Sequence, residues 1–212
     1  MNEVQRRSLR LPLTLAIVYL AVWVWSAIAP LHPADWRLEN MLVAVLVPPL
    51  VLTWRRHRFS SLSYVLIFAF LVMHSVGAHY TYSEVPLGFW VRDWLGLSRN
   101  HYDRAVHFCF GFLLAVPIRE LLMQLAGVRG FWSYYLAFDA ACAMSGLYEI
   151  LEWVAARITN PELGTAYLGT QGDEWDAQKD MALALSGALL SMLLLAAWNR
   201  LRARAASAPS NC

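Results

Sequence analysis

The hydrophobic positions of this chain fall into long, almost uninterrupted segments that are separated by short polar stretches. A helix that crosses a bilayer needs about 20 predominantly apolar residues. Six segments approach or exceed that length: Leu11–Ala29, Met41–Trp54, Leu62–Ala78, Ala105–Met123, Phe131–Ala155 and Met181–Trp198. The second is short and contains Pro48 and Pro49, which bend a helix or end it early. We interpret it as a full, bent span, and a re-entrant segment is the alternative.

The composition indicates a protein that is embedded in a membrane. Of the 212 residues, 58% are hydrophobic and only 15% are charged, whereas about a quarter of the residues in a soluble domain are charged. The pattern predicts an all-α, polytopic membrane helix bundle of about six transmembrane helices, surrounded by membrane lipids. Residues 1–200 are predicted to form a single transmembrane domain, and residues 201–212 a disordered cytoplasmic tail.

The basic residues predict the orientation of the bundle. Eleven of the seventeen Lys and Arg residues precede the first segment or fall in alternate connections after it: Arg6, Arg7, Arg10, Arg55, Arg56, Arg58, Arg119, Arg129, Arg200, Arg202 and Arg204. With six spans these positions share one side, which the positive-inside rule assigns to the cytoplasm. Both termini are then cytoplasmic. Twelve of the fifteen acidic residues lie on or near the opposite side, so the polar clusters are predicted to face outward.

Several functional classes have no support in the sequence. The first apolar segment follows Arg6 and Arg7 as in a signal peptide, but it is longer than a signal-peptide core, and we interpret it as the first helix. The three cysteines form no CxxC pair and are interpreted as small buried side chains. LGTQGDEWD lacks the GK[ST] of a phosphate-binding loop. No nucleotide or flavin cofactor and no nucleic acid partner is expected.

The first polar cluster lies between the third and fourth apolar segments. His79 follows the third segment, and Asp103 and His107 lie at i and i+4 near the start of the fourth. A carboxylate and an imidazole one helical turn apart can share a metal ion or transfer a proton. The alternatives are a favourable charge at a helix N-terminus for Asp103 and a hydrogen-bonded packing role for His107.

The second polar cluster includes Glu149 and Glu152, which lie at i and i+3 near the outer end of the fifth segment. Two carboxylates one turn apart repel each other, so a cation or a proton is expected between them. The alternative is a pair at the water boundary, with one carboxylate in solvent and the other bound to Arg157.

The second cluster continues with Asp173, Asp176 and Asp180, which share one helix face if GDEWDAQKD begins a helix. Asp180 adjoins the apolar run MALALSGALL and is predicted to lie at membrane depth. Lys179 is expected to neutralise part of this charge. Asp173 has the alternative role of a helix N-cap.

The polar motifs together resemble a known family. HYDRAVHFCFGFLLAVPIRE, YEILEW and LGTQGDEWDAQKDMALALSGALL resemble the YjdF-like inner-membrane proteins, a family of unknown function, over roughly residues 10–200. This resemblance implies a multi-pass protein of the bacterial inner (cytoplasmic) membrane and implies no particular activity. The last helix is also distantly similar to the D…N..G pattern of VanZ-like membrane proteins, although Ala184 or a neighbour occupies the position of the Asn.

The first functional hypothesis is a metal-dependent membrane enzyme. Carboxylates at a membrane boundary are costly and therefore functional candidates. Mixed His and carboxylate ligands favour a divalent metal, Zn, Mn or Fe, which would activate water against a lipid or lipid-linked substrate at the outer leaflet, as in a hydrolase. The candidate metal ligands are His79, His107, Glu149, Glu152, Asp176 and Asp180, and the candidate catalytic residues are Asp103 and Glu152, the latter as general base.

Two other hypotheses remain. A proton- or cation-coupled transporter would need polar residues through the bilayer, where Asp139 is the main example. A non-catalytic scaffold would pair the outer acids with the outer basic residues, of which Arg92, Arg99, Arg104, Arg157 and Lys179 are too few. The resemblance of SRNHYDRAVH to PAP2-type lipid phosphatases is set aside because the chain lacks PSGH. The substrate, the metal and the oligomeric state do not follow from the sequence.

Overall fold

The computed structural model of the chain describes residues 3–158 and 168–207, with side chains from residue 10 onward. All regular elements within these ranges are helical. They are α1 (Glu3–Ala27), α2 (Pro33–Thr53), α3 (Ser61–Tyr80), a 3₁₀ turn (Tyr82–Glu84), α4 (Pro86–Leu95), α5 (Tyr102–Leu125), α6 (Gly130–Ile158) and α7 (Asp176–Ser207). The predicted all-α class agrees with this part of the chain.

Five described helices are long and apolar enough to cross a membrane, namely α1, α2, α3, α5 and α7. α6 has 29 residues, but it carries several carboxylates among aromatic and small residues. It still runs alongside most of α5, because Arg119 donates to Ser133 Oγ at 3.0 Å near one end and His107 lies 3.6 Å from Glu149 near the other. The molecule is thus an α-helical membrane bundle.

α2 differs most from its predicted bounds, because it begins at Pro33 rather than near residue 41. Asp35 and Glu39 interrupt the apolar pattern there, whereas a proline in the first turn favours a helix start. Pro48 and Pro49 lie inside the helix without ending it, so the 21-residue α2 fits the full span and not the re-entrant alternative.

α7 also extends beyond its predicted end. It continues to Ser207, so residues 201–207, predicted to belong to a disordered tail, are helical. Residues 201–207 include polar side chains, so the apolar pattern did not extend to them. Polar side chains are nevertheless compatible with a helix. Residues 208–212 lie outside the described residues, and with them the rest of that prediction.

α5 and α7 run parallel and approach each other closely through two glycines. A Cβ atom on Gly111 would overlap the carbonyl oxygen of Ala184, and a Cβ on Gly187 would overlap that of Phe108. Small residues allow this backbone approach in membrane helices, where van der Waals packing drives association. The contact fixes the relative height of the two helices and thereby aligns the polar residues near their starts.

The starts of α2, α5 and α7 and the ends of α3 and α6 lie together at one end of the bundle, which we call the acidic end. Contacts between these helices define it, such as the hydrogen bond from Tyr148 on α6 to Glu39 on α2. α4 lies beside this end and leaves Trp90 and Trp94 largely exposed. Exposed tryptophans on a short amphipathic helix are typical of the membrane interface.

Candidate functional site

Three side chains at the acidic end form a group with the spacing of metal ligands. Asp103 and His107, one turn apart near the start of α5, meet Asp180 from the second turn of α7. One ligand atom from each residue lies within 4.8 Å of the other two. The helical period places the first two on one face of α5, and the close α5–α7 contact supplies the third. We call these three residues the triad.

The distances around His107 suit a shared ion better than direct hydrogen bonds. His107 Nε2 lies 3.5 Å from Asp103 Oδ1 and 3.6 Å from Glu149 Oε1. Ligands about 2.0–2.2 Å from one tetrahedral ion are separated by about 3.3–3.6 Å. Glu149 on α6 thus lies beside the triad, next to His107.

Two oxygens of this group are buried and have no hydrogen-bond partner. They are Asp180 Oδ1 and Glu149 Oε1. Buried polar atoms are nearly always paired with protein, water or an ion. Among the described residues, no lysine or arginine forms an ion pair with Asp103, Glu149 or Asp180. A cation, a proton or a water molecule can satisfy such oxygens.

Glu152 lies behind Glu149 on α6. Its carboxyl group neighbours the side chains of Glu149 and Tyr148, one turn earlier on the same helix. The predicted proximity of Glu149 and Glu152 is thus present, and within the described residues Arg157 forms an ion pair with neither. A carboxylate directly beside the ligand group is placed to accept and return a proton.

Asp176, predicted to bind metal, is instead held by two arginines. Its Oδ1 accepts from Arg99 Nη1 at 2.6 Å and from Arg104 Nη2 at 3.0 Å. The sequence pattern correctly placed Asp176 and Asp180 on one helix face. It did not reveal the two arginines, because Arg99 follows α4 and Arg104 lies in the first turn of α5. Only the tertiary structure brings them to Asp176. Its carboxylate is neutralised, so its main role is to fix the start of α7.

Asp173 completes this ion-pair network just before α7. The helix begins three residues later, at Asp176. Asp173 Oδ2 lies 2.5 Å from both Lys179 Nζ and Arg104 Nη2. The hydrogen bond from Lys179, ahead of those from Trp175 and Arg104, lowers the pKa of Asp173 below its ordinary value of 3.8. The expected neutralisation by Lys179 is thus present, and the N-cap alternative agrees with the hydrogen bond from the backbone N–H of Trp175 to Asp173 Oδ1 at 3.1 Å.

His79, also predicted as a metal ligand, packs against α1 and does not join the triad. Its ring stacks on Trp25 with centroids 4.5 Å apart, and Nδ1 lies 3.1 Å from the carbonyl oxygen of Ser26. Nothing in the local sequence distinguished a histidine that faces α1 from one that faces α5. His79 lies at the end of α3 and therefore at the acidic end, but on the side of the bundle that faces α1.

The sequence analysis missed a buried hydrogen-bonded chain that adjoins the triad. Tyr148 donates to Glu39 Oε2 at 3.0 Å, and its ring lies 6.1 Å from that of His107. Glu39 and His74 are 2% and 1% exposed. His74 Nε2 lies 3.1 Å from the carbonyl oxygen of Glu39. A carbonyl only accepts, so Nε2 carries a proton, and neutral His74 accepts at Nδ1 from Tyr82 at 2.5 Å.

One sequence signal could have found this chain. Asp35 and Glu39 are spaced at i and i+4 directly before an apolar segment, as Asp103 and His107 are. Both acids are almost completely buried. The apolar criterion excluded residues 33–40 from α2, and so it also excluded two carboxylates from the candidate list.

Comparison with known proteins agrees with the membrane architecture. The family model described as Predicted membrane protein (DUF2238) matches residues 11–201. The chain belongs to this family. It is also 40% identical over 186 residues to "Inner membrane protein YjdF" of Escherichia coli (strain K12), covering 86% of this chain and 88% of that protein. No solved structure matches the chain.

Membership in the DUF2238 family confirms the predicted resemblance and the bacterial inner-membrane localisation. The match covers all the helices that carry the triad, Glu149 and the arginine network. Neither the family description nor the name of the relative states an activity, so the chemistry of the site rests on its geometry.

Proposed function

We propose that this DUF2238 protein binds one divalent metal ion at its acidic end and uses it as a membrane hydrolase. The ligands are Asp103, His107 and Asp180, with Glu149 as the fourth. The observation that carries the proposal is the pair of buried, unpartnered oxygens, Asp180 Oδ1 and Glu149 Oε1, beside an imidazole at ligand-to-ligand distances. This donor set suits Zn, Mn or Fe.

The proposed chemistry is hydrolysis of an ester or phosphoester. A metal ion held by Asp103, His107 and Asp180 would make a bound water more acidic than free water and so supply the nucleophile. Glu152, beside Glu149, accepts the proton as the water oxygen forms a bond to the carbonyl carbon or phosphorus atom. The bond to the alcohol breaks, and the same proton returns to the leaving oxygen. Asp103, expected to be catalytic, acts here as a ligand.

The location of the site supports a substrate in the membrane. The triad lies within the first two turns of the apolar helices α5 and α7. The side chains of Asp103 and His107 retain 14% and 10% exposure, so the site is not sealed. A lipid or a lipid-linked molecule whose ester group lies at the bilayer boundary would reach it. With the positive-inside orientation, that boundary is the outer leaflet.

The first test is the metal content of the detergent-purified full chain, measured by elemental mass spectrometry after loading with Zn or Mn. We expect about one ion per chain in the wild type. His107→Ala and Asp180→Asn remove ligands and should lower the content about tenfold or more. Asp93→Asn is the matched control, because Asp93 pairs with Arg92 on exposed α4 and should have no effect.

Folding of each variant is checked by size-exclusion chromatography and circular dichroism. A folded wild type that takes up no ion would refute the metal site. Equal losses in Asp93→Asn and the ligand variants would show that bound metal is unspecific.

A second test separates metal binding from catalysis. Glu152→Gln keeps a hydrogen-bonding side chain but cannot accept the proton. We expect it to retain the metal and to lower hydrolysis of lipid esters or phosphoesters by about 100-fold or more, the usual contribution of a general base. Loss of metal in this variant would make Glu152 a ligand, and unchanged turnover would remove it from the mechanism.

A further inference from the structure

A groove lies between α5 and α7, on the opposite side of their contact from the triad. Its volume is about 620 Å³, within the range of about 300–1,000 Å³ that is usual for ligand pockets. The helical period turns the groove-lining residues of α5 away from Asp103 and His107. Its lining includes His101, Arg104, Phe108 and Cys109 from α5 and Lys179 and Leu183 from α7.

The polarity of the groove changes along the helix axes. His101, Arg104 and Lys179 lie at the beginning of α5 and α7, at the acidic end. Phe108 and Leu183 lie four residues further along the same helices, which is about 6 Å deeper. A charged upper part above an apolar lower part is the polarity of a phospholipid in a leaflet, with its phosphate at the boundary and its acyl chains below.

The charge balance at the upper part favours an anion. The groove lining contains two basic side chains, Arg104 and Lys179, and no carboxylate. The Lys179 side chain is also half exposed. Guanidinium and ammonium groups are the usual protein partners of phosphate oxygens.

His101 adds a neutral donor beside these cations. Its Nδ1 lies 3.5 Å from Arg104 Nη1, and an arginine can only donate. Nδ1 is therefore the acceptor, and the imidazole proton is on Nε2.

We propose that this groove binds an anionic phospholipid of the surrounding leaflet. Its phosphate lies against Arg104 and Lys179, and the upper part of an acyl chain lies against Phe108 and Leu183. The lipid site is distinct from the metal site, and it requires neither the metal nor the hydrolase activity. Arg104 lies between the two, because the same guanidinium that lines the groove also binds Asp176.

The experiment measures lipid binding to the delipidated full chain by native mass spectrometry. The probes are phosphatidylglycerol and phosphatidylcholine with identical acyl chains, each titrated in the same detergent. Lys179→Gln removes the exposed cation, and Leu183→Trp fills the apolar part. The matched controls are Arg92→Gln, which removes a paired cation on α4, and Leu185→Trp, which enlarges an exposed leucine of α7 outside the groove.

The wild type should bind about one phosphatidylglycerol molecule per chain, and its affinity for phosphatidylglycerol should exceed its affinity for phosphatidylcholine. Lys179→Gln should weaken phosphatidylglycerol binding about fivefold, the effect of one basic residue near an anionic lipid surface. Leu183→Trp should weaken both lipids, and the two controls should match the wild type.

Three results would overturn the proposal. They are equal binding of the two lipids, equal effects of the groove and control variants, and displacement of phosphatidylglycerol by inorganic phosphate at equal concentration. The last would identify a soluble phosphate ligand in place of a phospholipid. A variant that elutes as an aggregate is replaced by the milder Leu183→Phe.

Discussion

At the residue scale, one tyrosine hydroxyl connects α6 to a buried carboxylate of α2. Tyr148 donates to Glu39 on α2, and Glu152 lies one turn further along its own helix. A phenol has a single proton, so it can donate to only one carboxylate at a time. In the structure that carboxylate is Glu39, so the Tyr148 hydroxyl links α6 to α2 beside the triad.

This arrangement predicts opposite effects for two conservative substitutions. Tyr148→Phe leaves the Glu39 carboxyl without this donor and should lower the free energy of unfolding by about 1–3 kcal/mol. Glu39→Gln keeps an acceptor for Tyr148 and removes a buried charge that no described lysine or arginine pairs with. It should be neutral or stabilising.

Thermal melting of the two variants in detergent, beside the wild type, measures both effects. A Tyr148→Phe protein as stable as the wild type would show that the hydroxyl is dispensable. A strongly destabilised Glu39→Gln protein would show that the charge of Glu39 is itself required.

At the element scale, the α5–α7 contact determines whether the triad exists. Asp180 is on α7, and its partners Asp103 and His107 are on α5. A shift of one helix along the other by a single turn is about 5.4 Å, which exceeds every distance within the triad. The glycines that set the helix height, Gly111 and Gly187, therefore contribute to the site without touching it.

Substitutions at these glycines test that dependence. Gly111→Ala and Gly187→Ala place a methyl group against a backbone oxygen of the opposing helix, so the helices must separate. We expect about 1–3 kcal/mol of destabilisation and weaker metal binding. Gly146→Ala is the matched control, because the nearest atom to its Cβ would be Met181 Sδ at 3.7 Å, and alanine favours a helix over glycine.

Thermal melting and metal content are measured together for the three variants. Gly111→Ala and Gly187→Ala should lower both quantities, whereas Gly146→Ala should lower neither. If a destabilised Gly111→Ala protein kept its full metal content, the metal site would not depend on the close contact between α5 and α7.

At the scale of the whole molecule, the charge distribution orients the bundle. Described basic residues such as Arg55, Arg56 and Arg200 lie near the ends of helices opposite to the acidic end. We propose six spans with both termini in the cytoplasm, counting α6 because it runs alongside α5 as an antiparallel neighbour. Five spans would place the termini on opposite sides and separate the basic residues.

Cysteine labelling in intact cells tests this topology. In a background without the native cysteines, Glu174→Cys at the acidic end should react with a membrane-impermeant maleimide added outside. Arg56→Cys at the other end should react only after permeabilisation. Both side chains are exposed, so accessibility depends on the side of the membrane. The reverse pattern would place the triad in the cytoplasm and contradict an outer-leaflet substrate.

Local patterns were sufficient for the helices and for pairs within one helix. The apolar segments predicted all six long helices, because a bilayer requires long apolar stretches. Asp103 with His107, and Glu149 with Glu152, were predicted as neighbours because the helical period alone brings such positions together. The start of α2 was missed because Asp35 and Glu39 are buried by tertiary contacts, which an apolar pattern does not reveal.

Only the tertiary structure decided which helices share a site. Asp180 joins the triad because Gly111 and Gly187 let α5 and α7 pack closely, whereas His79 faces α1. Asp176 is neutralised by Arg99, a residue 77 positions away in sequence. Sequence spacing shows which residues share one face of a helix. Which helix packs against that face depends on contacts between segments that are distant in sequence. The sequence by itself thus determined a membrane bundle with acidic helix ends, and packing between distant helices brought Asp103, His107 and Asp180 together.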